Sequence, residues 1–108
     1  MKEEITISQM QKEVDKWVQQ FKEPYFPPLS LLAALTEEVG EVARVINRKY
    51  GAQKAKDGEN LRDLEEELGD LQFVITCIAN SEGIDLAKAH QRKMDKIKTR
   101  DINRYEKE

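Results

Sequence analysis

The sequence predicts an all-α chain, a four-helix bundle, on three observations. Apolar residues recur at three- and four-residue steps along four separate stretches. No stretch alternates apolar and polar residues with the two-residue period of a half-buried strand. Glycines, prolines and capping side chains punctuate the stretches at helix-length intervals. With 108 residues, 39% of them hydrophobic, the chain has material for one modest core, so residues 1–108 are read as a single domain.

The first helix is carried by Ile7, Met10, Val14, Trp17, Val18 and Phe21, an apolar stripe with Ser8 as its candidate cap. PYFPP at 24–28 interrupts it, since proline lacks an amide donor and restrains the residue before it. A second helix is expected from about residue 29 to Tyr50, with Leu32, Leu35, Val39, Val42 and Ile46 as its stripe and Gly51 as its stop. GAQKAKDGEN, 51–60, has two glycines and no period and reads as a loop. Asn60 is placed to cap a third helix that ends near Ser81, where Gly83 follows as a stop. Asp85 is placed to cap a fourth, from Leu86 to about Lys98. The stretch LQFVITCIA in the third helix is apolar on nearly every side, more than the neighbours in a small monomer can cover, which predicts a homodimer or homotetramer.

Composition narrows the function. A net charge of -3 and a pI near 5.3 argue against a nucleic-acid partner. The longest apolar run, Leu31 to Leu35, is far short of a membrane span, and the N-terminus lacks the apolar core of a secretory signal. A lone cysteine, Cys77, has no partner for an internal disulfide and reads as core, so a cytoplasmic protein is expected.

Chemistry enters with EEVGE at 37–41 and its near repeat EELGD at 66–70. Acids in helices usually lie on solvated faces, but Glu38 and Glu41 share a face with Ala34 and Val45. Glu67 and Asp70 are likewise flanked by Leu64, Leu71 and Val74. Carboxylates at core-facing positions need positive partners, because burial of an unpaired charge costs several kcal/mol. Gly40 and Gly69 each cost about 1 kcal/mol relative to alanine inside a helix, and their matching positions predict a close helix approach that gathers the acids. A divalent cation with oxygen ligands satisfies such a set; Mg²⁺ is the hard ion that works with carboxylates and phosphates, with Mn²⁺ as its substitute.

Glu37-Glu38-x-x-Glu41 followed by Glu67-x-x-Asp70 resembles the EExxE…ExxD signature of the MazG-like, all-α nucleoside triphosphate pyrophosphohydrolases. The surrounding YFPPLSLLAALTEEVGEVARVI and EEELGDLQFVITCIAN are similar to its short, YpjD-type bacterial branch, and the likeness runs from about Met10 to Tyr105. The resemblance implies metal-dependent hydrolysis of (d)NTPs to (d)NMP and pyrophosphate, in nucleotide-pool housecleaning. It makes Glu38, Glu41, Glu67 and Asp70 the metal ligands, and gives Glu37 the attacking water or a second metal. From Lys88 to Arg104 seven lysines and arginines face two aspartates. A solvated helix end explains any one of them, while the resemblance favours Lys96 and Arg100, with Lys93 as third, for the substrate's phosphates. Trp17 and Tyr25 are candidates to stack on the base, though Trp17 fits the core stripe equally well. Asn80 is the candidate for the base edge. Lys54 and Lys56 read as solvated loop residues, with closure over phosphates as their functional alternative. His90, in a polar stretch, reads as a surface residue.

Two rival readings stand beside this one. A di-iron bundle needs Glu-x-x-His pairs, and the only histidine, His90, has Ala87 three residues before it. A non-catalytic helical oligomerisation or nucleotide-binding module would leave the acids structural and would bind Mg²⁺ no better than any acidic surface.

Overall fold

A computed structural model of the chain describes residues 3–51 and 64–105. Among them the regular structure is four α-helices and no strand: α1 Ile7–Val18, α2 Pro28–Tyr50, α3 Leu64–Ser81 and α4 Leu86–Arg100. The all-α class read from the periodicity is the one adopted. α3 is the hub: α2 packs along it, α1 packs on it, and α4 rests on α1. α2 and α3 are antiparallel, since Leu31 and Leu35 share a cavity with Ile78 and Ser81 while Glu38 lies beside Glu67 and Asp70.

The helix ends show which local signals won. Thr6, not Ser8, caps α1: its hydroxyl accepts from Gln9 N at 3.1 Å, and Gln9 Oε1 accepts from Thr6 N at 2.7 Å, a reciprocal capping box. Ser8 also has a glutamine three residues on, Gln11, but that amide is used elsewhere. Gln11 Nε2 donates to Asn80 Oδ1 at 3.0 Å and to Ile84 O at 2.9 Å, and its Oε1 accepts from Leu86 N at 2.9 Å. One side chain of α1 thus ties down the turn between α3 and α4.

α1 stops at Val18, well before Pro24, so Phe21 falls beyond the helix. Pro28 opens α2, at the position where a missing N–H costs nothing. Gly51 ends α2 in an extended conformation, φ -87°, and so stops it without a left-handed turn. Gly83 does take the left-handed turn, φ 68°, and Gly83 N donates to Asn80 O at 3.2 Å and Ile84 N to Ala79 O at 2.8 Å, the bond pair of a Schellman motif. Asp85 caps α4 through Lys88 N at 3.1 Å, and α4 runs on to Arg100 rather than Lys98. The expected cap Asn60 and the loop lysines Lys54 and Lys56 lie outside the described residues.

The core of α2 is displaced from the expected stripe. Leu32, Val39 and Ile46 are 54, 49 and 44% exposed, while Leu31 and Val45 are buried and Leu35 and Val42 half-buried. Leu31, Glu38 and Val45 repeat at seven residues, and this line, with the acid in it, is turned to α3. α2 is apolar over a wider arc than one neighbouring helix covers, so the densest apolar line is left outside. In α1, Val18 is buried and Ile7, Met10 and Val14 half-buried, while Trp17 is 56% exposed and Phe21 51%.

Candidate metal centre

Facing turns of α2 and α3 bring Glu38, Glu67 and Asp70 together, with one carboxylate oxygen from each lying within 4.8 Å of the others. Glu67 is wholly buried at 0% exposure, and Glu38 and Asp70 are half-buried. The spacing in sequence explains the convergence: Glu67 and Asp70 are one helical turn apart on the same flank of α3, and Glu38 sits on the α3-facing line of α2. Oxygen ligands around one divalent ion at about 2.1 to 2.4 Å stand no more than about 4.8 Å apart. Three hard anionic donors at this spacing therefore fit Mg²⁺ or a similar cation.

The other expected site residues are placed differently. Glu41 is half-buried one turn along α2 and is not in the set of three, and Glu37 is exposed. Lys93, Lys96 and Arg100 are exposed on α4, and Arg100 pairs with its neighbour Asp101, Nε to Oδ1, at 3.0 Å. Asn80 is half-buried in the clasp with Gln11, its Oδ1 accepting from that side chain and its Nδ2 donating to Gln11 O at 3.0 Å. Cys77 is buried, which pushes its thiol pKa up. His90 is exposed.

The two helix glycines do not do what their positions suggested. A Cβ at Gly40 or Gly69 would meet nothing within 4 Å among the described residues. Each glycine comes two residues after a core-facing acid, about 200° round the helix, so it points away from the α2–α3 seam. The helices do not close on one another there.

Trp17 is not core but wall. With Phe21, Tyr25, Phe26, Phe73 and Cys77 it lines a cavity of about 330 Å³, and its ring meets Phe21 edge-on, centroids 5.3 Å apart. Leu31 and Cys77, which also line it, are each seven residues from Glu38 and Asp70, so the cavity begins about 10 Å along the same seam. Tyr25 is held in its wall by donating from its hydroxyl to Asp15 Oδ1 at 2.6 Å. Burial first, and that bond second, push the Tyr25 pKa up to about 12, while the same bond holds Asp15 below the ordinary carboxylate range.

Four further residues beside the site and the aromatic cavity lie outside the acidic motifs. Arg44 and Arg48 are half-buried on α2, three and seven residues beyond Glu41 and so on its flank; that spacing could have revealed them. Asp15 and Gln11 lie off the apolar stripe of α1, and only partners distant in sequence give them roles.

A strandless chain that sets three carboxylates from two antiparallel helices beside an aromatic cavity is an all-α protein with the makings of a divalent-cation site. The chain belongs to the MazG family: the MazG nucleotide pyrophosphohydrolase domain matches residues 26–105. Membership makes it a hydrolase acting on nucleotides. It is 49% identical over 100 residues to the protein YpjD of Bacillus subtilis (strain 168), across 93% of this chain and 90% of that one. The crystal structure of YpjD from Bacillus subtilis superposes with a TM-score of 0.78 at 47% identity, over 88% of this chain and 97% of that one. The crystal structure of the Bacillus-conserved MazG protein, a nucleotide pyrophosphohydrolase, gives 0.79 at 50% identity, over 92% and 96%. No helix among the described residues is long and apolar enough to cross a membrane.

Proposed function

We propose that the whole chain is one catalytic domain of a cytoplasmic enzyme that hydrolyses (d)NTPs to (d)NMP and pyrophosphate for nucleotide-pool housecleaning, using Mg²⁺ or, in its place, Mn²⁺. The convergence of Glu38, Glu67 and Asp70 within 4.8 Å carries this reading, because these are three of the four acids that the family pattern assigns to metal. Glu41, one turn away, is the fourth ligand. When bound, the cation polarises phosphoryl oxygens and lowers the pKa of water.

The chain's own part is to hold and orient. Glu67, fixed by burial, and Asp70 and Glu38 at its sides set the position of the reacting phosphate. Glu37, exposed beside Glu38, accepts the proton of the attacking water. The aromatic cavity takes the base, with Trp17 stacking on it. Asn80 reaches a base edge only if its amide leaves the clasp with Gln11, so stacking supplies most of the base affinity. Lys93, Lys96 and Arg100 hold the outer phosphates, which depart as pyrophosphate with a negative charge that these cations stabilise. The exposed apolar line of α2 and the exposed Leu68 and Ile75 of α3 support a homodimer or homotetramer.

Product analysis tests the reaction. Equal amounts of monophosphate and pyrophosphate should form with no diphosphate, and in ¹⁸O-labelled water the label should enter the monophosphate. Diphosphate with orthophosphate as first products would assign the wrong bond. Nucleotide binding with no turnover at any metal concentration would favour the non-catalytic module.

A further inference from the structure

The aromatic cavity is walled by rings, and the side chains that line it offer few hydrogen-bonding groups. Four of them carry a polar atom: Trp17, Glu23, Tyr25 and Cys77. Tyr25 turns its hydroxyl out of the cavity. Its proton goes to Asp15 Oδ1 at 2.6 Å, and Asp15 lines a separate polar cleft of about 410 Å³, shared with Lys12, Lys16 and Asn80. Tyr25 is thus a partition, with its ring on the cavity and its hydroxyl on the cleft. The Cys77 thiol is buried and a weak donor. An indole that covers a base with its face keeps its N–H in its own plane, parallel to the base, so Trp17 meets the ring and not the edge. Pro24, also in the wall, has no N–H. The side-chain group left for the edge of a base is the carboxylate of Glu23, which only accepts. Glu23 is exposed at the rim, and no hydrogen bond or ion pair ties its side chain among the described residues.

An acceptor of this kind is complemented by donors presented side by side. Guanine among the common bases sets two N–H donors next to each other, the ring N1–H and the exocyclic amine, at the spacing of the two oxygens of a carboxylate. Adenine and cytosine present one amine beside a ring nitrogen that is itself an acceptor, and the N–H of uracil and thymine lies between two carbonyls. Against each of these a carboxylate gains one bond and meets a lone pair. We propose that the cavity selects guanine nucleotides: Trp17 stacks on the base, and Glu23 accepts from the ring N–H and the amine and so determines specificity. The inference rests on the hydrolase reading above, which puts a nucleotide in the seam.

Pyrophosphate release from GTP, ITP and ATP tests it. Hypoxanthine keeps the ring N–H of guanine and lacks the amine, so kcat/KM should fall in the order GTP, ITP, ATP, with GTP above ATP by about ten- to a hundredfold. Glu23→Gln removes the charge and puts a donor in place of one acceptor. It should bring GTP down to the level of ATP, while ATP itself changes by less than about threefold. Tyr25→Phe should keep the order, because the hydroxyl it deletes faces the cleft. Equal kcat/KM for GTP and ATP in the wild type, or a preference for GTP that survives Glu23→Gln, overturns the proposal and leaves the hydrolase reading standing. Quenching of Trp17 fluorescence by the α,β-imido analogues of GTP and ATP is read in parallel. If no nucleotide releases pyrophosphate, yet the guanosine analogue binds more tightly than the adenosine one and loses that margin in Glu23→Gln, the hydrolase reading fails and the choice of base holds. Equal affinity for the two analogues, or no quenching by either, overturns it.

Discussion

At the scale of single residues, Glu67 is the most deeply buried acid among the described residues, at 0% exposure, and it lies beside Glu38 and Asp70. A ligand that binds only the folded form raises stability by mass action. Millimolar Mg²⁺ or Mn²⁺ should therefore raise the Tm, and Glu67→Gln should abolish that rise; an unchanged response would remove Glu67 from the site. Trp17 is the single tryptophan, so its fluorescence reports the aromatic cavity alone. Nucleotide should quench it, and Trp17→Ala should raise KM about tenfold with kcat nearly unchanged, as loss of a stacking contact present equally in ground and transition states requires. Tyr25 and Asp15 carry a pH signature. Asp15 titrates below its ordinary 3.8, so the bond's contribution is present above that value and lost as pH falls below it. Tyr25 titrates at about 12 rather than 10.0, so its contribution is intact below pH 10 and is lost as pH rises from there toward 12. Tyr25→Phe should flatten Tm against pH at both ends, and two superposable profiles would show that the bond is absent in solution. The convergence of three acids could be read from sequence because each sits on a core-facing line at helical spacing. The clasp of Gln11 with Asn80 could not, since its partners are 69 residues apart and no local pattern marks either end.

Secondary-structure elements were readable where a signal is local and exclusive. Gly83 and Asp85 are legible in the sequence because a left-handed stop and a cap leave few alternative residues. Ser8 lost to Thr6 because both have a glutamine three residues on, and only tertiary contacts with the α3–α4 turn decide which glutamine is free to form a capping box. The α2 stripe was displaced for a related reason. Periodicity finds apolar lines but does not say which of two adjacent lines faces the neighbour when acids are tolerated inside. Replacing Thr6 by Ala removes a side-chain cap and should cost about 1 kcal/mol, and Gly83→Ala forces a Cβ into a left-handed turn at a cost of about 1 to 2 kcal/mol. Each should lower the Tm by about 4 °C or more in a domain of this size. The metal-induced rise in Tm should survive both changes, because neither touches the α2–α3 seam. Loss of that rise in Gly83→Ala would mean that the turn positions the acids as well as ending the helix.

For the whole molecule, the exposed apolar surface and the two outward glycines belong to one question. Leu32, Val39 and Ile46 on α2 and Leu68 and Ile75 on α3 are all at least 40% exposed in a single chain, and Gly40 and Gly69 lie directly beside Val39 and Leu68 in open space. Glycine inside a helix costs about 1 kcal/mol against alanine, so these two are unfavourable for the lone chain and gain a purpose only where another surface comes close. A second copy packed over this strip would cover the apolar residues and use the glycines for close approach. Light scattering should give the mass of a dimer or tetramer at micromolar concentration, and Val39→Lys should reduce it toward that of one chain by placing a charge in the contact. Gly69→Ala then separates the two states. In the Val39→Lys monomer the added methyl meets nothing, and helix propensity should raise stability by about 1 kcal/mol. In the wild-type assembly the same methyl intrudes on the contact and should lower the Tm and weaken association. A rise in Tm in both backgrounds would show that Gly69 faces water in the assembly too, and that the copies meet elsewhere.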